Sequence, residues 1–336
     1  MQHLRPRRKL PPGDSGSSYG DRVSWVPVVD ISAPNAPGLI DEACERAGFL
    51  TILGHGVPDF VVADAWNTAR AFFDLPLADR MQVAMPRPGY PYGYSPMAGE
   101  TLTRALGEKS GQTAAPDLKE SFAIGPVDRP THTITDPNES FAWSENLWPA
   151  ALPTLQPAWE TYFRAMSDLA ARLLRLMATG LGLTATHFDS MIDRHTSAMR
   201  GLNYPALARG EGRLGASAHT DYGTLTILLA DPVVGGLQLE GLDGAWHNVG
   251  AVPGSFVVNL GDAMARWTND RWRSTMHRVQ VPVSRRQSIA FFHNANWDAV
   301  IECLPTCLPA NETPKYAPIA AGPHLMQKFQ STVNTY

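Results

Sequence analysis

Cysteine is scarce in this chain, which has three cysteines among 336 residues. Cys44, Cys303 and Cys307 are too few for the disulfide framework of small secreted proteins, so we expect a reducing, cytoplasmic compartment. Cys303 and Cys307 flank Leu304 and Pro305. Because no further ligand type accompanies this pair, we interpret it as two ordinary thiols rather than a redox or metal element.

The sequence also lacks long apolar runs and an excess of positive charge. No stretch approaches the roughly 18 apolar residues that a membrane span requires, and the formal net charge is -4 without a basic stripe. Membranes and nucleic acids are therefore excluded as expected partners. Residues 1–9 contain four Arg or Lys, but no apolar segment follows, so we predict no secretory signal. A small molecule is the expected partner, and a monomer is favoured.

What the chain does contain is a set of metal-binding side chains between residues 199 and 294. His219 and Asp221 are two residues apart, and an apolar, β-branched stretch follows from Thr224 to Leu229. Side chains on a strand alternate with period two, so one strand would present both ligands on the same face. His277 precedes three alternating valines and would arrive from a later strand.

Two imidazoles and one carboxylate indicate a non-heme Fe(II) site. Three ligands on one face of an octahedron leave three positions open for a co-substrate and dioxygen. A closed zinc site would need a further Cys or His at close spacing, and none is evident. His247 and His293, the other histidines of this region, are expected to be surface or packing residues.

Arg286 and Ser288 repeat the period-two spacing on a further predicted strand. A guanidinium and a hydroxyl on one face form a receptor for a carboxylate, because arginine donates two parallel, charge-assisted hydrogen bonds. A predicted anion site thus accompanies the predicted metal site.

Together these residues resemble the Fe(II)- and 2-oxoglutarate-dependent oxygenases of the isopenicillin N synthase-like family, whose signature is H-x-D, a later histidine and R-x-S. Asp221 and His277 are 56 positions apart, and His277 and Arg286 are nine apart, as in that family. Further similarity lies in short segments: Val28-Val29-Asp30, Ala47-Gly48-Phe49, Gly54-His55-Gly56-Val57-Pro58, Tyr204-Pro205, Gly235-Gly236-Leu237-Gln238, Asn259-Leu260-Gly261-Asp262 and His277-Arg278-Val279.

The resemblance implies both a fold and a reaction. The fold is mainly β with flanking helices, built on a double-stranded β-helix, or jelly roll. His219, Asp221 and His277 would be the metal-binding and catalytic residues, and 2-oxoglutarate would chelate the iron while its far carboxylate meets Arg286 and Ser288. Tyr204 matches the family tyrosine that contacts this co-substrate.

In that family, dioxygen converts 2-oxoglutarate to succinate and carbon dioxide and oxidises a substrate C–H bond. Hydroxylation is the expected outcome, with desaturation or cyclisation as further possibilities. We expect a small-molecule substrate from bacterial natural-product or small-metabolite metabolism, such as antibiotic biosynthesis.

Two alternatives stay open from the sequence. Some proteins of the same fold are Fe(II) oxidases that keep R-x-S but do not use 2-oxoglutarate. A jelly-roll protein can also be a non-catalytic binding module with a vestigial triad. Release of succinate from 2-oxoglutarate distinguishes the expected dioxygenase from both.

Composition and periodicity divide the chain into five parts. Residues 1–24 are rich in Arg, Pro, Gly and Ser and are predicted to be a mobile N-terminal arm. Residues 25–130 form an N-terminal oxygenase module and residues 131–198 a helical support. Residues 199–300 form the Fe(II)/2-oxoglutarate jelly-roll core, and residues 301–336 a C-terminal helix and lid.

Periodicity also predicts individual elements. Strands are predicted at 25–31 and 49–53, and short strands separated by Gly, Pro, Asn and Asp follow residue 199. Residues 85–126 are predicted to be a long loop, with little apolar patterning until residues 119–124. Helices are predicted at 40–48, 61–73, 155–181, 184–192 and within 316–336.

Substrate contacts are expected on loops and termini around the rigid core. Tyr92 and Arg104 lie in the predicted long loop, and Phe292 lies at an inward position of the strand that carries Arg286. These three are the candidate substrate residues, and the tail after residue 316 is a candidate lid.

Overall fold

The structure is a computed structural model that describes residues 25–97, 117–128, 130–206, 214–231 and 236–332. The predicted N-terminal arm and the candidate substrate residue Arg104 lie outside these ranges. Within them, fourteen strands and eight α-helices are formed.

The strands are β1 Val28–Asp30, β2 Phe49–Leu53, β3 Gly93–Ser95, β4 Glu120–Ile124, β5 Ala198–Tyr204, β6 Leu214–His219, β7 Leu225–Ala230, β8 Leu237–Glu240, β9 Trp246–Asn248, β10 Phe256–Leu260, β11 His277–Gln280, β12 Arg286–His293, β13 Val300–Ile301 and β14 Ile319–Ala320. The helices are α1 Ala36–Arg46, α2 Asp59–Asp74, α3 Leu77–Met81, α4 Glu139–Ala142, α5 Leu155–Gly180, α6 Asp189–Ile192, α7 Asp262–Trp267 and α8 Ala321–Thr332.

Two sheets form the body of the protein. The large sheet has the order β1-β2-β10-β7-β12-β5-β4-β3, and the small sheet has the order β6-β11-β8-β9. Their facing sides share one apolar cluster, which we call the inner cluster. It consists of Val26, Ala47, Phe49, Leu202, Tyr204, Ala216, Leu237, Leu239, Val249, Val257, Val279 and Ala290. Because residues of both sheets belong to it, the sheets enclose a common interior, as in a jelly roll.

A layer of helices covers the other side of the large sheet. The helix α5 carries apolar residues at helical spacing, and Trp159, Phe163 and Met166 are buried on that stripe. Phe163 meets Phe291 of β12 edge-on, with ring centroids 5.0 Å apart. Burial of each such side chain contributes about 1.5–3 kcal/mol, so this layer fixes the position of the strands behind the interior.

The periodic elements match the predictions closely. β2 has the predicted bounds, α5 ends one residue early, and β1 lies at the sheet edge, where Pro27 costs no ladder hydrogen bond. Of the helix predicted at 184–192, only α6 forms. No helix in the described ranges is long and apolar enough to cross a membrane.

The predicted long loop at 85–126 is wrong in part, because it contains β3 and β4. All five residues of β4 are buried between β3 and β5, although two of them are polar. Glu120 accepts hydrogen bonds from Tyr94 Oη at 2.5 Å and from Asn203 Nδ2 at 2.7 Å, and it pairs with Arg80. Tyr94, Asn203 and Arg80 are distant from Glu120 in sequence, so no local pattern indicates that this carboxylate is buried in a strand.

Two histidines lie beside each other on the helix side of the large sheet. His293 at the end of β12 is fully buried, and its ring centroid lies 5.2 Å from that of His195. Its Nδ1 lies 2.7 Å from Thr224 Oγ1. Burial lowers the pKa of both imidazoles below 6.5, and the neighbouring His195 lowers that of His293 further. Both rings are therefore neutral in the folded protein at a pH where an unfolded chain binds protons.

Acid is expected to destabilise the protein through this pair. The unfolded state takes up protons below about pH 6.5, so the free energy of unfolding should fall as the pH is lowered from about 7 to about 5. Urea unfolding at several pH values measures this dependence. His293→Asn, which keeps a polar group near Thr224 but does not titrate, should show a shallower dependence. An unchanged dependence would assign the acid sensitivity to other groups.

Candidate active site

Three side chains selected from the sequence converge at one end of the small sheet. His219 ends β6 and His277 begins β11, and the two are direct partners in the antiparallel register. Asp221 Oδ1 lies 3.9 Å from His219 Nε2 and 3.8 Å from His277 Nε2. The ligand atoms all lie within 4.8 Å of one another, and no second group of this kind occurs in the described part of the chain.

Asp221 reaches the site by a route that differs from the prediction. β6 ends at His219, so Asp221 lies in the turn before β7 and not on the same strand. The backbone N–H of Asp262 donates to the Asp221 carbonyl at 2.8 Å and holds this turn. Gly223 permits the return of the chain, because a Cβ there would clash with the His293 carbonyl oxygen. The turn geometry, and not strand alternation, brings this carboxylate to the imidazoles.

Hydrogen bonds orient the Asp221 carboxylate. Thr226 Oγ1 donates to Oδ2 at 2.5 Å and Asn259 Nδ2 donates to the same oxygen at 2.7 Å, which leaves Oδ1 toward the imidazoles. Burial alone would raise the pKa of Asp221, but His277, His219 and these two donors lower it. The group is therefore an ionised ligand with one oxygen available. Sequence reasoning missed both donors, although Asn259 begins a segment that resembles the family.

Both imidazoles have their tautomer fixed by the backbone. Nδ1 of His219 donates to the Ser217 carbonyl at 2.7 Å, and Nδ1 of His277 donates to the Thr275 carbonyl at 3.1 Å. Each Nε2 consequently carries a lone pair directed at the group. Burial, reinforced by the neighbouring His277, lowers the pKa of His219 to about 4, so this ring is neutral near pH 7. Two imidazole nitrogens and one carboxylate oxygen are a donor set that fits Fe(II).

The predicted anion site lies farther along the same interior. Arg286 of β12 is paired with Tyr204 of β5, and its guanidinium carbon lies 5.0 Å from the tyrosine ring centroid. Arg286 is 3% exposed and Ser288 is 1% exposed. Nη1 of Arg286 has no hydrogen-bond partner within the described structure. A buried cationic donor of this kind is costly unless an anion binds it, so the residues fit a carboxylate ligand.

Comparison with known proteins agrees with this geometry. The profile of the 2OG-Fe(II) oxygenase superfamily matches residues 194–295. A second profile, described as 'non-haem dioxygenase in morphine synthesis N-terminal', matches residues 26–151. The chain is 36% identical over 290 residues to a 2-oxoglutarate-Fe(II) type oxidoreductase, hxnY, of Emericella nidulans, covering 83% of this chain and 80% of that protein. The chain belongs to the 2OG-Fe(II) oxygenase superfamily.

Other known proteins are similar to this chain over most of their length. Validamycin A dioxygenase of Streptomyces hygroscopicus subsp. limoneus is 31% identical over 322 residues, which cover 90% of this chain and 85% of that enzyme. The crystal structure of a full-length Neurospora crassa protein in complex with alpha-KG, which is 2-oxoglutarate, has a TM-score of 0.78 at 31% identity and covers 90% and 95% of the two chains. The double-stranded β-helix, the oxidoreductase class, Fe(II) and 2-oxoglutarate are thereby confirmed for this oxygenase.

The candidate substrate residues lie in different environments. Phe292 is half-buried and packs against the inner cluster, opposite Thr226 of β7. Tyr92 is 3% exposed, and its hydroxyl donates to the Ala142 carbonyl at 2.6 Å; its assignment to substrate binding stays a prediction. Its ring is also packed against Gly125. Tyr92 therefore belongs to the structural core of the oxygenase.

Arg200 is an inward cation that the sequence analysis missed. It lies on β5 two residues before Leu202 of the inner cluster, so strand alternation places it on the same face. Its neighbours in register are Ala123 of β4 and Ala290 of β12. Because both alanines are small, they leave space beside the half-buried Arg200 side chain on this face of the sheet.

The remaining histidines of the region are structural, as expected. His247 Nε2 lies 3.0 Å from Asp243 Oδ1, and its ring stacks on Trp25 with centroids 3.7 Å apart. His293 bonds Thr224 behind the large sheet. Neither is part of the His-Asp-His group.

The C-terminal helix is connected to the metal-binding turn. Lys328 Nζ of α8 lies 2.7 Å from Asp262 Oδ2, and Thr220 Oγ1 donates to the same carboxylate oxygen at 3.3 Å. Thr220 lies between the two ligands of the H-x-D motif. The predicted C-terminal helix is thus present, and its function as a lid stays a prediction.

Proposed function

We propose that the oxygenase oxidises a C–H bond of a small molecule at Fe(II) held by His219, Asp221 and His277. Arg286 and Ser288 would bind the far carboxylate of 2-oxoglutarate, with Tyr204 against it. Two groups of opposite charge at the two ends of one interior support this proposal. Three convergent ligand atoms lie at one end, and the buried guanidinium with an unpartnered Nη1 lies at the other.

The side chains have separate tasks in this reaction. Bound Fe(II) supplies the redox chemistry that couples decarboxylation of 2-oxoglutarate to oxidation of the substrate. The two Nδ1–H donations hold the imidazoles in the binding tautomer, and Thr226 and Asn259 keep Asp221 from rotating. The inner cluster excludes water around these groups, which strengthens electrostatic interactions inside the site.

Arg286 also bears on the alternative of an oxidase that does not use 2-oxoglutarate. Without a carboxylate partner, a guanidinium that is 3% exposed loses its hydration and gains little in exchange. A dicarboxylate co-substrate would satisfy this donor and reach toward the metal end. The dioxygenase is therefore the preferred interpretation.

The interior side chains Phe292 and Arg200 suit a substrate that has a flat or apolar part and a hydrogen-bond acceptor. Phe292 would contact the former and Arg200 the latter, since both project from the same face of neighbouring strands. The similar Neurospora crassa protein has also been crystallised with alpha-KG and thymine, at a TM-score of 0.77 and 30% identity, and thymine has both features. A natural-product or small-metabolite substrate, oxidised by hydroxylation, desaturation or cyclisation, is consistent with this wall.

Replacement of a metal ligand is the direct test of the triad. In His219→Ala, Asp221→Ala and His277→Ala, metal affinity and succinate release should fall by at least the roughly 10- to 100-fold that changes beside a ligand cost. Bound iron and succinate formed from 2-oxoglutarate are the measurements. His247→Ala is the control, because its ring is held by Asp243 away from the group. Full activity of His277→Ala, or loss of iron in the control, would refute the assignment.

Arg286 is tested through the apparent constant for 2-oxoglutarate. Truncating one partner of a buried charge pair costs roughly 2 to 5 kcal/mol, so Arg286→Ala should raise the constant well over tenfold. Arg286→Lys should be intermediate, because lysine lacks the planar fork. Arg285→Lys is the control, since Arg285 contacts Asn203 and Asp74 instead. Parent-like constants in both Arg286 variants would favour the oxidase alternative.

The substrate wall is tested by the coupling between the two half-reactions. A small-molecule library identifies compounds that stimulate succinate release by the parent enzyme. With such a compound, Phe292→Ala and Arg200→Met should lower the ratio of product to succinate, because the substrate is held less well near the metal. Arg200→Lys, which keeps the charge, should lose less. A parent-like ratio in all three variants would place substrate recognition elsewhere.

A further inference from the structure

The strand that carries the first metal ligand is irregular. In the pairing of β6 with β11, His219 lies opposite His277 and Ala216 lies opposite Val279. Two steps along β11 therefore correspond to three steps along β6, and this register shift falls at residues 217–218. A second shift lies on the other side of Ala216, since Gln280 is opposite Leu214. The first shift is a β-bulge, which inserts one extra residue and changes the direction of the side chains beyond it.

The bulge decides which way His219 points. Ala216 and Val279 both belong to the inner cluster, so the interior face of β6 is fixed at Ala216. In a regular strand, a residue three positions later would project to the opposite face. His219 would then point away from His277. The extra residue restores His219 to the interior, so the metal-binding group depends on the bulge.

One carboxylate holds this bulge. Asp117 Oδ1 accepts from the backbone N–H of Ser217 at 2.9 Å and from Ser217 Oγ at 2.7 Å. The Ser217 carbonyl accepts in turn from His219 Nδ1 at 2.7 Å. Ser217 is thus bound by Asp117 at its backbone N–H and by the His219 ring at its carbonyl.

Lys119 balances the charge of this carboxylate. Its Nζ lies 2.8 Å from Asp117 Oδ2, and the two side chains are 3% and 0% exposed. The backbone between them is docked on β6, because Leu118 N–H donates to the Leu214 carbonyl at 3.1 Å. β6 is an edge strand of the small sheet. The segment 117–119 therefore closes that edge and inserts the Asp117 carboxylate at the bulge.

We propose that Asp117, neutralised by Lys119, is a positioning residue for the metal centre: it fixes the bulge at Ser217 that turns His219 toward His277 and Asp221. The role rests on the proposed function of His219 as a metal ligand. The effect of Asp117 reaches His219 through Ser217, which bonds both residues.

The test compares two double variants that differ by one acceptor. Asp117→Asn with Lys119→Met removes both charges but keeps an amide oxygen for Ser217. Asp117→Ala with Lys119→Met removes both charges and the oxygen. The pair stays neutral in each case, so neither of its two charges is left buried without the other. Mn(II), which does not turn over, serves as the probe, and its dissociation constant is measured by electron paramagnetic resonance of the free ion.

The Asn/Met variant should bind Mn(II) within about threefold of the parent. Its amide oxygen still accepts a hydrogen bond from Ser217, so the Ser217 position changes little. The Ala/Met variant should bind about 10- to 100-fold more weakly, as for other groups that orient a ligand. Hydrogen exchange at the Ser217 amide should be slow in the parent and in the Asn/Met variant and fast in the Ala/Met variant. Equal Mn(II) affinity and equal exchange in both double variants would overturn the proposal.

Two further proteins keep the result interpretable. If the Ala/Met variant does not fold, Ser217→Ala replaces it, since it keeps the ion pair and loses one of the two bonds to Asp117. Its Mn(II) affinity should fall by about 2- to 10-fold, and a parent-like value would overturn the positioning role. In His219→Ala, Mn(II) affinity should collapse. If His219→Ala bound Mn(II) like the parent, the proposed metal site would be overturned, and with it the role of Asp117. If His219→Ala lost Mn(II) but the two double variants bound it equally, only the role of Asp117 would be overturned.

Discussion

The direct pairing of His277 with His219 across β6 and β11 is the contact on which the site depends. It brings two imidazoles together on one interior face, where both donate Nδ1–H to backbone carbonyls and present Nε2 to the same point. The turn after β6 then needs only to return one carboxylate oxygen to that point. The segment 117–119 docks on the outer edge of β6, where Leu118 N–H donates to the Leu214 carbonyl.

The interior is organised by charge as well as by shape. Asp221 provides one negative group at the metal end, and Arg286 provides one positive group at the other end of the same face. Between them the walls are mostly apolar. A ligand that carries two carboxylates and chelates a cation suits this separation, since each end of the ligand meets the opposite charge. Most other buried charges near the site, such as Asp117 and Lys119, are paired within the protein.

Some elements of this fold are encoded locally in the sequence and others are not. α5 and β2 were predicted almost to the residue, because an apolar stripe facing a core repeats within one element. β4 was missed, because its polar Glu120 is satisfied by Tyr94, Asn203 and Arg80, and none of these contacts leaves a local pattern. The burial of Tyr92 was not predicted for the same reason. Its partner, the Ala142 carbonyl, is 50 residues away.

The sequence by itself determined the chemistry available to the site: which side chains can supply metal-binding nitrogen and oxygen, and which cation and hydroxyl are proposed to receive a carboxylate. The tertiary structure decided how they meet. Period-two alternation specifies a face only in a regular strand, and β6 contains a bulge whose Ser217 peptide is held by Asp117, 100 residues away. Asp221 lies beyond the strand end, and its donors Thr226 and Asn259 come from other strands. Such contacts depend on register between distant segments, and no local pattern encodes that register.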